Sequence, residues 1–395
     1  MRNGWQTKKL GEICEIERGG SPRPIQDFIT SDPKGINWIK IGDATASDKY
    51  IYKTEEKIKL EGVKRSRMVY EGDFILSNSM SFGRPYIMKT TGCIHDGWLV
   101  LRQPKVDPNY LYHVLSSDLV FTQFDRLAAG STVRNLNIGL ARSVEIPYPP
   151  LPEQRRIVGI LDEAFDGIAT AKANAEKNLQ NARALFESRL GAAISKCGQM
   201  RAIAIAEVAE VFDGPHATPK TVDAGPLFLG ISALQDGTVN LGETRHVTRD
   251  DFRKWTRRVR PQPNDVVFSY ETRLGQAAII PEGLECCLGR RMGLVRLDPK
   301  QVDPRFFVYQ YISPPFRQVL SGRTVRGATV DRISIKEFPS FEIALPELGE
   351  QQRIADLLDA VREQTRRLES IYKQKLAALD ALKKSLLHEA FNGRL

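Results

Sequence analysis

The sequence has few of the features that mark secreted, membrane-spanning or disulfide-rich proteins. Only five of its 395 residues are cysteine, none lies in a Cys-x-x-Cys pair, and Cys286 and Cys287 are adjacent and poorly placed to bridge each other. No apolar run approaches the length of a membrane span, and the N-terminus lacks a signal-peptide pattern. We therefore expect reduced thiols in a cytoplasmic protein.

Motifs of common catalytic sites are also missing. There is no Gly-Lys dipeptide and hence no P-loop for ATP phosphates, no Gly-x-Gly-x-x-Gly follows a predicted strand, and the five histidines lack metal-ligand spacing. The DPNY sequence at 107–110 only approaches the motif of nucleobase amino-methyltransferases and is better explained as a helix start. Asp43 with Glu55-x-Lys57 has the spacing of a metal-dependent nuclease, but such spacing is common by chance and has no second copy.

The chain does contain a long internal repeat. PPLPEQRRI at 149–157 and LPELGEQQRI at 345–354 share a Glu-Gln-x-Arg-Ile opening, about half the chain apart. Five further pairs of segments match in the same order: 10–16 with 205–211, 38–42 with 228–232, 72–77 with 264–269, 106–111 with 302–307, and 130–134 with 322–326. Gly83 also matches Gly275.

These matched segments also predict local structure. The alternation in 10–16 and 205–211 predicts a strand in each copy. The segments at 72–77 and 264–269 predict a turn into a buried strand, and the Asp-Pro pairs in 106–111 and 302–307 predict helix starts. We interpret residues 1–150 and 198–345 as two copies of one α+β module with many short strands, which differ most in their loops.

The segments that follow the repeated opening, 151–197 and 346–395, have no proline beyond their first residues and are predicted to be long helices. Apolar side chains recur every three to four residues on one face, mostly alanine in the first helix and leucine or isoleucine in the second: Ile157, Leu161, Ala164, Ile168, Ala171, Ala175, Ala182, Leu185 and Ala193, and Ile354, Leu358, Val361, Leu368, Ile371, Leu379, Leu382 and Leu386.

Forty helical residues span about 60 Å, and a rod of that length with one apolar face needs a partner. We predict that the two helices pair as an antiparallel coiled coil, with an internal pseudo-twofold axis between the modules. The alternative is that each helix packs on its own module or pairs with another chain.

The chain carries a net charge of +9. Most of this excess lies in the two modules, with 21 basic against 17 acidic residues in 1–150 and 20 against 17 in 198–345. This distribution fits two modules that face a polyanion, joined by nearly neutral helices.

A nucleic-acid interface requires basic side chains for phosphates and hydrogen-bonding side chains in loops for base edges. The base-reading candidates are Arg18, Ser21, Arg23, Asn78, Ser81 and Arg84 in the first module, and His216, Lys220, Tyr270, Arg273, Arg290 and Arg291 in the second. The phosphate-binding candidates are Lys64, Arg65, Arg67 and Arg134, and Arg253, Lys254, Arg257, Arg258 and Arg326. The alternative for the basic segments is a solvated helix face.

The whole layout resembles the DNA-specificity subunit of type I restriction–modification systems. The resemblance lies in two modules that are each followed by a helix with the repeated opening, and in WIKIGD at 38–43, GDFILSN at 72–78 and GSTVRNLN at 130–137. The second module departs from the pattern at Ser232-Ala233, at Asn264-Asp265 and at 327–329, so its assignment depends more on position than on motif.

The resemblance implies a function. Each target-recognition domain would read one half of a split double-stranded DNA site, and spacer helices would set the gap between the halves. The chain itself would be non-catalytic, with no metal and no cofactor of its own. It would dock two modification subunits, which methylate adenine with S-adenosylmethionine, and two restriction subunits, which use ATP and Mg²⁺. The competing hypotheses are a self-sufficient nuclease or methylase, and a helical interaction protein without DNA sequence preference.

Overall fold

The computed structural model describes residues 4–45, 47–78, 82–128, 136–197, 201–216, 218–325 and 330–395. The chain forms two compact units: unit 1 comprises residues 1–175 and 374–395, and unit 2 comprises residues 176–373. Each long helix thus contributes one half to each unit. The predicted domain boundaries at 150, 197 and 345 stay predictions.

Unit 1 begins with a module of short strands and helices. In chain order these are β1 Gln6–Lys9, α1 Leu10–Ile13, β2 Glu15–Arg18, β3 Ile29–Thr30, β4 Ile36–Ile39, α2 Ile41–Thr45, β5 Tyr50–Ile51, β6 Glu56–Ile58, α3 Leu60–Val63, β7 Arg67–Val69, β8 Phe74–Ser77, β9 Pro85–Met88, β10 Gly92–Ile94, β11 Trp98–Arg102, α4 Pro108–Leu115, α5 Asp118–Ala128, α6 Ile138–Ser143 and β12 Glu145–Tyr148. The first long helix, α7, then runs over Leu151–Cys197.

The module of unit 2 has a similar series. It contains β13 Ala202–Ala204, β14 Ala209–Asp213, β15 Val222–Leu229, β16 Leu234–Gln235, β17 Thr238–Val239, β18 Arg245–His246, α8 Arg249–Trp255, β19 Val266–Ser269, β20 Ala277–Ile279, β21 Cys286–Leu288, β22 Met292–Leu297, α9 Pro304–Ile312, α10 Pro314–Gly322 and β23 Glu342–Ala344. The second long helix, α11, covers Leu348–Phe391.

The two modules share the order of the central strands in both sheets, and unit 1 has additional edge strands. Unit 1 has a sheet β2-β11-β8-β9-β5 and a second sheet β3-β6-β4-β10-β7; unit 2 has β14-β22-β19-β20 and β18-β15-β21. The parallel pair β4/β10 corresponds to β15/β21, and the antiparallel pair β1/β12 corresponds to β13/β23. The mixed α/β fold with two alike modules is therefore confirmed.

The strand predicted over 10–16 is wrong in its first half. Residues Leu10–Ile13 form a helical turn, because Glu12 accepts a hydrogen bond from the Lys9 N–H at 3.1 Å and caps it. In unit 2 a 3₁₀ turn, Ile205–Glu207, is capped in the same way by Glu207 on the Ala204 N–H at 3.0 Å. The strand begins only afterwards in each copy.

The predicted turns and helix starts are confirmed. Gly72 and its counterpart Asn264 both have positive φ, 91° and 69°, a conformation that glycine and asparagine tolerate best. The β8 and β19 strands that follow are fully buried. Helices α4 and α9 begin after Asp107 and Asp303, whose carboxylates accept hydrogen bonds from the N–H groups of the first turn.

The repeated glutamine explains how each module is fixed to its helix. Gln154 is buried, accepts the Asp107 N–H at 2.8 Å and donates to the Pro149 carbonyl at 2.8 Å. Gln351 accepts the Asp303 N–H at 2.9 Å and donates to two carbonyls at 2.8 Å, those of Pro346 and Gln301. The repeated opening therefore joins a helix N-terminus to the N-cap of a module helix.

The two long helices pack together in antiparallel directions. Lys172 and Asp380 form an ion pair at 2.7 Å within unit 1, and Arg183 and Glu369 form one at 3.5 Å within unit 2. The residue numbers of these partners rise along α7 and fall along α11, so the two helices run in opposite directions. The predicted pairing is thus confirmed, whereas the pseudo-twofold axis stays a prediction.

The residues that fill the seam differ from the prediction. Leu368, Ile371 and Leu382 are 37%, 47% and 47% exposed, and Leu185 is also exposed. Thr365 is buried instead, and the half-buried positions that continue from it are Glu369, Tyr372, Leu376 and Leu379. Steps of three and of four residues are both compatible with one helix face, so the sequence did not exclude Leu368, Ile371 and Leu382 from the seam. The predicted Val361, Leu379 and Leu386 are half-buried.

Candidate nucleic-acid interface

Four of the base-reading candidates in unit 1 converge on Asp96, which lies in the turn between β10 and β11. The Ser21 hydroxyl donates to its Oδ1 at 2.8 Å, and Arg23 donates to its Oδ2 at 3.2 Å. Arg18 and Asn78 donate to its backbone carbonyl at 3.2 and 2.8 Å. Chiefly the hydrogen bond from Ser21 lowers the pKa of the Asp96 carboxyl, which is therefore ionised at neutral pH.

Sheet register brings these residues together although they are far apart in sequence. The β11 strand pairs with β2 on one side and β8 on the other, so Leu99 lies opposite Arg18, and Trp98 lies opposite Ser77, which precedes Asn78. Gly19 follows Arg18 in the chain, and a Cβ on Gly19 would lie 2.0 Å from the His95 carbonyl oxygen. Only glycine permits that approach, so the loop with Ser21 and Arg23 is held against the turn.

The other candidates of unit 1 lie in different places. Arg84 is outside the cluster, where it pairs with Asp48 at 3.4 Å and stacks over the Tyr86 ring at 5.2 Å. Ser81 and Arg134 fall outside the described residues.

The predicted phosphate-binding segment of unit 1 borders the Asp96 cluster. Arg67 donates to the Arg18 carbonyl at 3.3 Å and pairs with Glu17 at 3.3 Å. A Cβ on Gly20 would lie 3.0 Å from the Arg65 carbonyl, so this backbone also contacts the loop. Lys64 and Arg65 have exposed side chains. Cations and base-reading candidates thus form one continuous surface in unit 1.

In unit 2 a different carboxylate, Asp213, organises the equivalent edge. His216 approaches its Oδ2 at 3.0 Å, the Tyr270 hydroxyl donates to its Oδ1 at 3.1 Å, and Arg258 lies 3.9 Å from Oδ2. Burial first, and the Asp213 charge next, raise the pKa of the Tyr270 hydroxyl, which therefore stays protonated.

A cationic pocket of about 290 Å³ opens beside Asp213. Its lining includes His216, Lys254, Trp255, Arg257 and Arg258. The Trp255 indole nitrogen is buried and has no hydrogen-bond partner among the residues described. The predicted phosphate-binding residues Lys254, Arg257 and Arg258 therefore line one pocket with the base-reading candidate His216. Arg253, on helix α8, pairs with Asp250 at 3.3 Å.

The remaining candidates of unit 2 are distributed along nearby loops. Arg291 pairs with Glu271 at 2.8 Å, and Arg273 donates to the Ile231 and Ser232 carbonyls at 3.4 Å. Lys220 and Arg290 are exposed, and Arg326 falls outside the described ranges.

Sequence reasoning missed Asp96 and Asp213. The search favoured hydrogen-bond donors, although carboxylates also accept from cytosine and orient basic side chains. A signal was available for Asp213, because it lies two residues after the matched segment 205–211 and directly before a Gly/Pro-rich loop, in the same way as Arg18 follows 10–16.

The described residues also bear on metal binding, membrane spans and thiol chemistry. Over the ranges described, no group of three or more His, Cys, Asp or Glu side chains could hold a metal ion. Among the helices described, none is long and apolar enough to cross a membrane. All five cysteines are buried and free, and burial raises the pKa of the Cys14, Cys286 and Cys287 thiols to about 12.

Comparisons with known proteins agree with this architecture. The family model described as type I restriction modification DNA specificity domain matches residues 2–180 and 240–378. A putative type I restriction enzyme MjaX specificity subunit of Methanocaldococcus jannaschii is 23% identical, over 99% of this chain and 93% of the relative. The type I restriction enzyme EcoBI specificity subunit of Escherichia coli is 19% identical, over 100% of this chain and 87% of the relative.

Two solved structures share the fold. A chain from a study of complex assembly and conformational transition in a type I R-M system superposes with a TM-score of 0.79, at 21% identity, covering 100% of this chain and 99% of that one. The HsdS subunit from Thermoanaerobacter tengcongensis gives a TM-score of 0.58 at 21% identity, covering 100% and 98%.

Proposed function

The chain belongs to the type I restriction modification DNA specificity family, and we propose that it reads a split DNA site with one module for each half. One observation carries the proposal. In both units, candidate readers and predicted phosphate-binding cations meet at the end of the same strand pair, β2/β11 around Asp96 and β14/β22 around Asp213. A site that reads sequence needs both kinds of group on one surface.

The long helices would fix the number of base pairs between the half-sites. The 47-residue helix α7 is about 70 Å long at ~1.5 Å per residue. Gln154 and Gln351 tie each module to a helix end through buried hydrogen bonds. Rigid attachment of this kind would support a constant spacing between the two reading edges, by which we mean the strand ends around Asp96 and around Asp213.

The catalytic steps would fall to partner subunits in the cytoplasm, where the five reduced cysteines are stable. We propose assembly with two modification subunits that methylate adenine with S-adenosylmethionine, and with two restriction subunits that use ATP and Mg²⁺. This chain would hold none of these cofactors and would determine the DNA sequence at which the partner subunits act. Its relatives, which are called specificity subunits of type I restriction enzymes, support this division of labour.

Methylome sequencing of cells that express the modification subunits with and without this chain tests the proposal. We expect a methylated sequence with two specific halves and a gap, present only with the chain. Exchange of residues 1–150 for another module should change one half alone. A change in both halves, or methylation independent of the chain, would contradict the proposal.

The purified chain should neither cut nor methylate DNA when it is given Mg²⁺, ATP and S-adenosylmethionine. Cleavage or methylation by the chain alone would instead support a self-sufficient enzyme. Insertion of four residues into α7 adds ~6 Å of helix and should alter the gap. An unchanged gap would argue against the helices as its ruler.

A further inference from the structure

Unit 1 has an open apolar groove of about 720 Å³ beside the Asp96 cluster. We call it the Trp38 groove. Its apolar lining comes from Pro22, Pro24, Ile25, Trp38, Ile41 and His95. Ser21 and Arg23 line it as well, and these two side chains also bind Asp96. The groove is therefore continuous with the reading edge.

His95 adds a hydrogen-bond donor to this apolar surface. The Gly97 N–H donates to its Nδ1 at 2.9 Å, so a neutral ring carries its proton on Nε2. Burial lowers the pKa of His95, which favours the neutral ring at physiological pH. Nε2 has no hydrogen-bond partner in the described part of the chain, so its N–H is available to a ligand with an acceptor.

The charges around the groove indicate what occupies it. Arg23 has a side chain that is 80% exposed at the rim, and Lys40 lies on the other side, paired with Glu56 at 2.7 Å. The exposed Lys64 and Arg65 continue the positive surface along the neighbouring segment. Arg23 and Lys40 each have an acidic partner, Asp96 and Glu56, so the groove offers basic side chains held in place beside an apolar surface. This combination complements DNA, which exposes apolar groups next to its phosphates.

Unit 2 lacks the donor of this groove. Sheet register equates Trp38 with Phe228 and His95 with Gly289. Phe228 is buried against Val247, Phe252 and Cys287, with Trp255 packed onto them. A side chain at Gly289 would meet the Leu229 carbonyl at 2.4 Å, so no histidine fits there. Trp38 is as buried as Phe228, 4% against 7% exposed, so the feature that unit 1 has and unit 2 lacks at this position is the His95 donor.

We propose that the Trp38 groove binds the major-groove edge of a thymine in the half-site read by unit 1. Thymine is the only base whose major-groove edge places a methyl group beside an acceptor, the C5-methyl beside O4. The methyl group packs on Ile25, Trp38 and Ile41, and His95 Nε2–H donates to O4. The proposal rests on the function proposed above, and it adds one residue-level rule of specificity.

The test uses the full chain in complex with its modification subunits and a duplex that carries its own methylated site. Each thymine of the half-site read by unit 1 is replaced in turn by deoxyuridine, which lacks the methyl group. At one position we expect a loss in affinity of about fourfold, the value of one buried methyl group. Replacement in the other half-site serves as the comparison.

Variants then connect that position to the groove. Ile41→Ala should abolish the difference between thymine and uracil there, whereas Ile231→Ala, its matched control in unit 2, should preserve it. His95→Asn keeps an acceptor near Nδ1 and loses the Nε2 donor, and should weaken binding about fivefold to tenfold. His95→Gln, which retains a donor near Nε2, should bind more tightly than His95→Asn. Thermal unfolding checks that each variant is folded.

Specific binding without any effect of uracil, a half-site without thymine, or a difference that survives in Ile41→Ala would overturn the thymine assignment and leave the proposed function standing. A groove variant that impairs assembly with the modification subunits, while thymine and uracil are still distinguished, would also overturn it, because the groove would then be a protein contact. Loss of preference for the methylated site over a shuffled duplex would overturn the proposed function itself.

Discussion

Unit 1 and unit 2 share the order of their central strands, yet equivalent positions at their reading edges carry opposite charges. The register of β2/β11 and β14/β22 equates Arg18 with Asp213 and Asp96 with Arg290. The Gly19 and Gly214 N–H groups that follow donate to equivalent carbonyls at 2.9 Å. The backbone is therefore the same where the charges are reversed.

Away from this edge the two units share several residue contacts and turns. Arg102 binds Asp73 at 3.2 Å, and Arg296 binds Asp265 at 2.7 Å, in equivalent places beneath the sheet. Gly83 and Gly275 both have positive φ, 73° and 82°. The comparison teaches that the framework is fixed by a few buried polar contacts and special turns, while the exposed edge is free to vary with the bases it reads.

The largest effect is expected at the glutamines that join module to helix. Gln351→Ala leaves the Asp303 N–H and two carbonyls unsatisfied, and should lower the free energy of unfolding by about 3 kcal/mol. Gln154→Ala leaves one N–H and one carbonyl, and should cost about 2 kcal/mol. Urea denaturation measures both, with Gln352→Ala, an exposed neighbour, as the control. Equal losses for all three variants would show that the buried contacts do not hold the modules.

A smaller effect is expected at the buried ion pairs of the framework. Arg296→Ala leaves Asp265, which is only 3% exposed, with a single remaining N–H donor from Gln262. Removal of one partner of a largely buried pair should lower the free energy of unfolding by about 2 kcal/mol. Arg102→Ala should have a comparable effect in unit 1. The exposed Lys336→Ala is the control, and a loss no larger than in that variant would contradict a structural role for the pair.

A variant at either reading edge should affect the recognition of one half-site only. Asp213→Asn weakens the hold on His216, Tyr270 and Arg258, and should reduce discrimination about tenfold at the half-site of unit 2, roughly 1.4 kcal/mol. Asp96→Asn should do the same at the other half-site. Affinities for the methylated site and for single-base variants of each half measure this. Asp250→Asn is the charge-matched control, and loss of discrimination in the same half for both variants would refute separate reading edges.

The smallest effect concerns the pH dependence of stability, which we expect to differ between the equivalent side chains His113 and Tyr309. His113 contacts Asp162 at 2.8 Å, where unit 2 has Tyr309 bonded to Asp359. Burial lowers the pKa of His113 despite the Asp162 charge, and Lys49 and Lys383 act in the same direction as burial. The unfolded chain thus binds a proton near pH 6.5 that the folded chain takes up only at lower pH.

Stability should therefore fall as pH decreases from about 7.5 through about 6.5. His113→Tyr, which introduces the side chain of unit 2, should reduce this slope. Urea denaturation at several pH values measures it. His95 also has a lowered pKa through burial, so His95→Asn provides the comparison. A slope unchanged in His113→Tyr would mean that the pair with Asp162 does not titrate in this range.

The sequence predicted a large part of this fold because the repeat is locally encoded. Asp-Pro pairs begin helices, Gly-Asp and Asn-Asp turns precede buried strands, and Glu-Gln-x-Arg-Ile opens each long helix. These features depend on side chains within a few residues of one another, so they can be recognised from the sequence alone. The same reasoning failed for the start of each module, because a glutamate three residues along closed a helical turn within an alternating pattern.

The sequence by itself determined two alike modules, two long helices and the basic character of the reading surfaces. Only the tertiary structure decided that Arg18, Ser21, Arg23 and Asn78 meet at Asp96 while Arg84 lies elsewhere. It also decided that Leu368 and Ile371 leave the helix seam, and that His95 lines an open groove where the equivalent Gly289 has no room for a side chain. The physical reason is that helices and turns follow from neighbours in the chain, whereas a site is made by strand register and packing between residues far apart in sequence.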